Sequence, residues 1–480
     1  MKMKLNFNLK RLVILSLALL SLGVITSCKE ERKQIDNVIA IGYLNDDIYL
    51  LSSDNNSLLL EGYDLIQESI DEYMYFRKDN LYGYINVKGK EVIAPAYERA
   101  YLMKENKAVV VKDGKHLIIN NEGEVLYTLP NNITSNSYFS ENYLKIELNG
   151  KFGFLKYDEE TNTFILPGEF AYDFALPFSE GYAVVGIEEH NTPVEGSVST
   201  TSIKYNYLRN DYILLFEEYS FDEAESFSNG LAKVGIFTND VRVESVGTGN
   251  QSKPPKYYDM NVYYYIDLSG KFLIDQSTNA PLECHYGSSF ENGVISTAII
   301  KYYINDAIID NLFKDYTFYN GNGEKLYESC FEQTAHENIN IFWPTNLMPL
   351  GPNHVFGVGK QSVSWTIMLA IEDDLNFTSL AITVDPQAQW VSNLAGEYYK
   401  PNSYIEATSK YPYHLSDIYI PKYSNDTRPL MVAQISFQEN GKYGLLQFNY
   451  DYESEEQVTD LASLYSLYYI VPPIYDRIVL

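Results

Sequence analysis

The apolar residues of this chain come in short runs broken by turn residues, at a spacing that suits strands rather than helices. The clearest instance is Leu81–Ala100, LYGYINVKGKEVIAPAYERA. Tyr82-Gly83-Tyr84-Ile85 and Glu91-Val92-Ile93 are rich in strand-favouring residues and flank a corner from Asn86 to Gly89, which predicts a β-hairpin. The Asn86 side chain can hydrogen-bond backbone two residues on, and Gly89 tolerates the positive φ needed to enter the second strand. Pro95, which has no N–H, is expected to stop the ladder. Earlier in the chain, Val38 to Ile41 and Ile48 to Leu51 predict two strands joined by a turn at Asn45-Asp46-Asp47.

The corner recurs. Asn120 to Gly123, Asp267 to Gly270 and Asn320 to Gly323 repeat the Asn or Asp first and Gly fourth, each after two apolar residues. Lys90, Glu124, Lys271 and Glu324 follow the glycines, so the charge reverses sign and reads as turn solvation. A second string, Phe178-Ser179-Glu180-Gly181, returns as Phe227-Ser228-Asn229-Gly230, as Phe290-Glu291-Asn292-Gly293 and, more weakly, as Phe139-Ser140-Glu141-Asn142. Each leads into an apolar run, so the Phe is expected in the core beside a turn that opens a third strand. One such unit cannot bury both its faces, whereas a series of stacked units can. The insertions His190 to Ser202 and Asn239 to Tyr257, rich in Ser, Thr, Gly, Asn and Pro, read as surface loops.

These strings resemble the WG-containing repeat, a bacterial tandem repeat with a Trp-Gly-Tyr-Ile core, a Gly-Lys turn, a Pro-Pro-x-Tyr-Asp close and a Phe-Ser-Glu-Gly-Leu-Ala-x-Val link. Here Tyr82 stands for the Trp and Ala94-Pro95-Ala96-Tyr97-Glu98 for the close. Gly441-Lys442-Tyr443-Gly444 and Pro472-Pro473-Ile474-Tyr475-Asp476 follow the pattern more closely. The expected fold is therefore all-β: tandem β-hairpin, three-strand repeats stacked into a curved array, either an open superhelix or a closed propeller-like ring. Contact between residues 38–51 and 470–480 would mark closure. The repeats run from 38 to 334 and again from 430 to 480. Residues 335–429, which hold Trp343, Trp365 and Trp390, are either eroded repeats or an aromatic-rich insertion.

The amino terminus changes the picture of where this array sits. Lys2, Lys4, Lys10 and Arg11 precede an apolar run from Leu12 to Ile25, the pattern of a secretory leader at residues 1–27. Ile25-Thr26-Ser27-Cys28 resembles a lipobox, which implies acylation of Cys28 and attachment to the lipid bilayer through it. Residues 28–37 read as a flexible tether, and Lys29-Glu30-Glu31 resembles an export tag of surface lipoproteins. The expected location is the outer membrane, lipid-anchored, with the leaflet left open and exposure at the cell surface implied only by the export-tag resemblance. The net charge of −28, deepened by loss of the basic leader, disfavours nucleic acid as a partner.

Candidate chemistry is sparse. Cys284 and His285 are adjacent and point to opposite faces of a strand, with no second pair at zinc spacing. Cys284 and Cys330 could pair in an oxidising compartment. Asp46-Asp47, Asp158-Glu159-Glu160 and Asp373-Asp374 lack the ligand alternation of a calcium loop and read as solvated turns. No nucleophile elbow, phosphate loop or dinucleotide fingerprint occurs, so no catalytic, cofactor-binding or metal residue is assigned and no cofactor is expected. The reading is a non-enzymatic binding or scaffold module for a protein or polymer ligand. The alternative is a hydrolase of an envelope or extracellular polymer, supported only by surplus carboxylates.

Overall fold

Strand alternation gives each sheet two apolar faces, and that fixes the architecture. Val109 packs with Ile118 toward Phe139 and Leu144, while its neighbours Ala108 and Val110 pack the other way, toward Tyr84 and Ile93. A computed structural model describes residues 38–479 apart from 53–55, 68–70, 192–199, 248–253, 291–293, 306–307, 329–343, 352–353, 362–363, 374–375, 385–390, 394–397, 400–413, 420–429, 440–441 and 452–464; beyond residue 325, side chains are described only at 442–445, 471 and 474–479. The fold is all-β. The described residues form strands and turns with no helix, in ten sheets, of which nine have three to six strands.

The nine sheets follow one another along the chain, and from the first to the one that holds Val294–Asn305 each neighbouring pair shares an apolar cluster. Ile41 and Leu50 of the first sheet meet Phe76 and Ile85 of the second. Further on, Tyr143 and Phe154 meet Phe178 and Val185, Val184 and Tyr207 meet Phe227 and Val234, and Leu231 and Tyr265 meet Ile295 and Tyr319. Truncating one of these buried phenylalanines should cost about 3–5 kcal/mol, because the gap would sit between two rigid sheets.

Of the two arrangements left open by the sequence, the ends of the array select the closed one. Arg477–Val479 adds to Val38–Leu44 as an antiparallel strand, with Ile41 opposite Val479 and Tyr43 opposite Arg477, so the last strand of the chain completes the first sheet. Leu445, Val471 and Tyr475 pack on Ala40 and Leu51. The Asp476 N–H donates to the Tyr43 carbonyl at 2.7 Å, and its carboxylate accepts from the Asn45 N–H at 2.9 Å.

All four corners form as their sequence requires. The side-chain oxygens of Asn86, Asn120, Asp267 and Asn320 each accept the N–H two and four residues on, and the closing glycines sit at φ from +73° to +84°. Pro95 behaves differently from expectation: the strand Glu91–Tyr97 runs through it. The register jumps between Ile93 opposite Tyr84 and Tyr97 opposite Tyr82, so the ladder bulges at Pro95 and resumes. Gly83 permits this, since a Cβ there would lie 2.5 Å from the Ile93 carbonyl oxygen. The two insertions also differ from the expected loops. Their arms continue the hairpins as strands, Tyr182–Asn191 with Thr200–Arg209 and Leu231–Val243 with Lys256–Asp267.

The Phe strings stitch successive units together. Phe139, Phe178 and Phe227 are buried. Ser140 and Ser179 each donate a hydroxyl hydrogen bond of 2.7 Å to the carbonyl of the next unit's phenylalanine, Phe178 and Phe227, and Ser228 donates to Phe290 at 3.1 Å. Glu141 and Glu180 accept the Gly181 and Gly230 N–H at 2.8 and 2.7 Å. The buried tyrosines do the same on the other side of the unit: Tyr84, Tyr207 and Tyr265 donate to the carbonyls of Tyr101, Glu225 and Ser288. Burial raises the pKa of all three hydroxyls, so they remain donors.

Candidate ligand-binding site

The Phe turn fixes a register within each unit. Counted from Phe178, the residue two before it, Leu176, donates its N–H to the carbonyl of the residue six after it, Val184. The same bond joins Tyr101 to Val109, Glu225 to Lys233 and Ser288 to Ser296, at 2.8 to 3.1 Å, and Gln67 makes it to Tyr75 in the second sheet. The fourth sheet departs from this rule. Its pair is Ser137 and Lys145, and there the Lys145 carbonyl accepts from the Ser135 hydroxyl at 2.7 Å while the Ser137 N–H donates to that same hydroxyl oxygen at 3.2 Å. A side-chain oxygen is inserted where the other units have a direct backbone bond.

A cavity of about 620 Å³ opens at this departure. It is lined by Gln67 and Tyr75 of the second sheet, by Tyr101 between two strands of the third, by Ser137, Tyr138 and Lys145 of the fourth, and by Pro177 between two strands of the fifth. Parallel stacking at roughly 10 Å per sheet would put the second and fifth sheets about 30 Å apart, so a shared cavity requires that the sheets converge here. The lining is aromatic and polar. Gln67 is buried and its amide donates to Asp71 at 2.8 Å, while Asp71 also takes an ion pair from Lys104, so this wall is fixed.

Lys145 is the charged group of the cavity wall. Among the described residues its ammonium has no carboxylate or hydrogen-bond partner; it lies over the Phe152 ring, 5.1 Å from the centroid. Burial lowers its pKa from the ordinary 10.5, and the nearby Glu147 carboxylate opposes that shift. Lys233 holds the same position two units on. It pairs with the Glu225 carboxylate at 2.6 Å and donates to the Gly287 carbonyl at 2.7 Å, beside a cavity of about 170 Å³. Glu223, on that second cavity, accepts from the Tyr263 hydroxyl at 2.9 Å.

The residues singled out from sequence lie elsewhere. Cys28 and Cys330 are outside the described residues, as are Trp343, Trp390, Tyr411 and Tyr413; Trp365 falls within the strand Ser364–Asp373. The expected strands at His354 to Phe356, Trp365 to Ile371 and Leu380 to Val384 are present. Cys284 is a buried free thiol whose pKa burial pushes up to about 12, and the His285 Nδ1 accepts the Ile300 N–H at 3.0 Å. Asp158 caps its own turn through the N–H groups of Glu160 and Thr161. The cavity residues were missed because the recurring strings read as fold: Lys145 holds the variable third position of the run after Phe139-Ser140-Glu141-Asn142, and the other lining residues fall outside the strings. The available signal was the substitution of Ser137 for Glu225 eight residues before a lysine.

Two segments of the chain, residues 82–115 and 169–189, match the family model described as the WG containing repeat. Among solved structures the chain is similar to Kluyveromyces lactis Hsv2, at 8% identity over 70% of this chain and 96% of that one, with a TM-score of 0.27. The same protein with its loop 6CD replaced by a Gly-Ser linker gives a TM-score of 0.28 at the same identity and coverage. No curated protein matches the chain.

Proposed function

We propose that this chain, which carries WG containing repeats, is a lipid-anchored module of the outer membrane that binds a ligand in the cavity between its second and fifth sheets. The observation that carries the reading is the break in register at Ser137 and Lys145. A repeat that elsewhere closes this position with a direct hydrogen bond leaves there a space of about 620 Å³, within the range of small-ligand pockets. Tyr75, Tyr101 and Tyr138 line it with aromatic side chains, and Ser137 with a small polar one, beside one cation.

The anchor and the cavity have separate tests. Mass spectrometry of the membrane-extracted protein should find an acylated Cys28 at the mature amino terminus, and Cys28→Ser should release the chain from membranes. Glycan and peptide arrays probed with the mature chain should return a ligand whose binding falls in Tyr138→Ala. A ligand that is consumed rather than held would move the reading to a hydrolase.

A further inference from the structure

We infer that the cavity takes a short saccharide bearing a single carboxylate, and that Lys145 is its ionic anchor; this rests on the cavity being the binding site. The repeat supplies the comparison that carries the inference. At the position six residues after the turn phenylalanine the described units hold Val109, Lys145, Val184, Lys233 and Ser296, counting Met103 as the first turn's apolar residue. Eight residues earlier they hold Tyr101, Ser137, Leu176, Glu225 and Ser288. An apolar residue answers each valine, a serine answers a serine, and a glutamate answers Lys233. Of the two lysines only Lys145 lacks an answering carboxylate, because Ser137 stands there; in the second sheet the pair is Gln67 and Tyr75.

The missing group is therefore an anion of carboxylate size, and the space for it is present. Where Glu225 fills the position the adjoining cavity is about 170 Å³; where Ser137 stands it is about 620 Å³. Lys104, Lys204 and Lys233, all partly buried, each pair with a carboxylate of the chain, whereas the more buried Lys107 is held by the Glu105 carbonyl and the Tyr157 ring. The walls narrow the rest of the ligand. Three tyrosine rings suit the C–H faces of sugar rings, and Asn136, Ser137 and Gln67 border them with hydrogen-bonding groups. A polyanion is disfavoured by the net charge of −28, whereas one carboxylate on an otherwise neutral saccharide meets its counter-ion at Lys145 alone.

The test is calorimetric titration of the full mature chain, in detergent, with three probes. These are aldotriouronic acid, which carries one carboxylate on xylobiose, neutral xylotriose of the same ring number, and trigalacturonate. The acid should bind about tenfold or more tightly than xylotriose, as expected for one charge-assisted contact, and trigalacturonate no better than the acid. Lys145→Gln should bring the acid down to the level of xylotriose and leave xylotriose unchanged, with the thermal melt showing the variant folded. Equal binding of acid and neutral sugar, both lost in Tyr138→Ala, would overturn the anchor while leaving the cavity standing. Binding that survives Tyr138→Ala would overturn the cavity reading itself. Absence of binding by all three at millimolar concentration would overturn the saccharide class.

Discussion

Lys145 and Lys233 occupy one position of the repeating unit and are treated in opposite ways. Around Lys233 the chain supplies everything: a carboxylate at 2.6 Å, a carbonyl at 2.7 Å and a direct backbone bond from Glu225 to the lysine's own carbonyl. Around Lys145 the backbone bond becomes a relay through the Ser135 hydroxyl, no carboxylate stands at the position of Glu225, Glu147 being the nearby one, and the space is larger. The lesson is that a tandem repeat carries its own reference state. A unit that departs from its neighbours in backbone register, side-chain pairing and cavity volume at one position marks that position as serving something other than the fold.

The comparison can be broken most strongly by making the two units alike. Ser137→Glu gives Lys145 an internal partner and fills the space, so binding of an acidic saccharide should weaken about a hundredfold, the value of a charge-assisted contact plus the steric loss. Titration of the variant checks this, and its thermal melt should be no lower than the parent's. Ser135→Ala removes the relay and leaves the Ser137 N–H and the Lys145 carbonyl in need of new partners. The cost should be about 2 kcal/mol in denaturant unfolding. The converse change, Glu225→Ser, takes away the carboxylate of Lys233 but leaves its bond to the Gly287 carbonyl, and Glu225 is partly solvated, so the loss should be nearer 1 kcal/mol.

The smallest effect is a pH dependence. Burial holds the Lys145 pKa below 10.5, with Glu147 as the opposing group. A carboxylate ligand needs the protonated ammonium, so affinity should be full at neutral pH and fall as pH rises through that lowered value, before free lysine deprotonates. The sign for stability is opposite: without ligand, the cost of the charged lysine is present at neutral pH and is relieved toward pH 10.5. Affinity measured from pH 7 to 10.5 reads the first, and denaturant midpoints over the same range read the second.

Much of the scaffold was legible in the sequence because it rests on strings that must recur. The Asn-to-Gly corners need a side-chain acceptor and a positive φ at fixed spacing, and Phe178 and Phe227 need a turn beside them, so composition and position carry the message together. Pro95 was misleading, since a proline reads as a stop unless the partner strand offers a glycine such as Gly83 against which the backbone can bulge. Ring closure was hidden for a different reason: Arg477–Val479 pairs with residues more than four hundred positions away, and no local pattern encodes that. The site was the least legible part. Ser137 and Lys145 are unremarkable alone, and their meaning comes from Glu225 and Lys233 standing in the same frame with the complementary charge restored.

The account's central claim is that Lys145 awaits a carboxylate that Lys233 already has, and side-chain NMR of the two lysines tests it most directly. With 13C-labelled lysine in the mature protein, the Lys145 Cε resonance should shift on saturation with aldotriouronic acid and move far less with xylotriose, while the Lys233 resonance stays in place with either. A Lys145 resonance that ignores the acid, or equal shifts at both lysines, would contradict it.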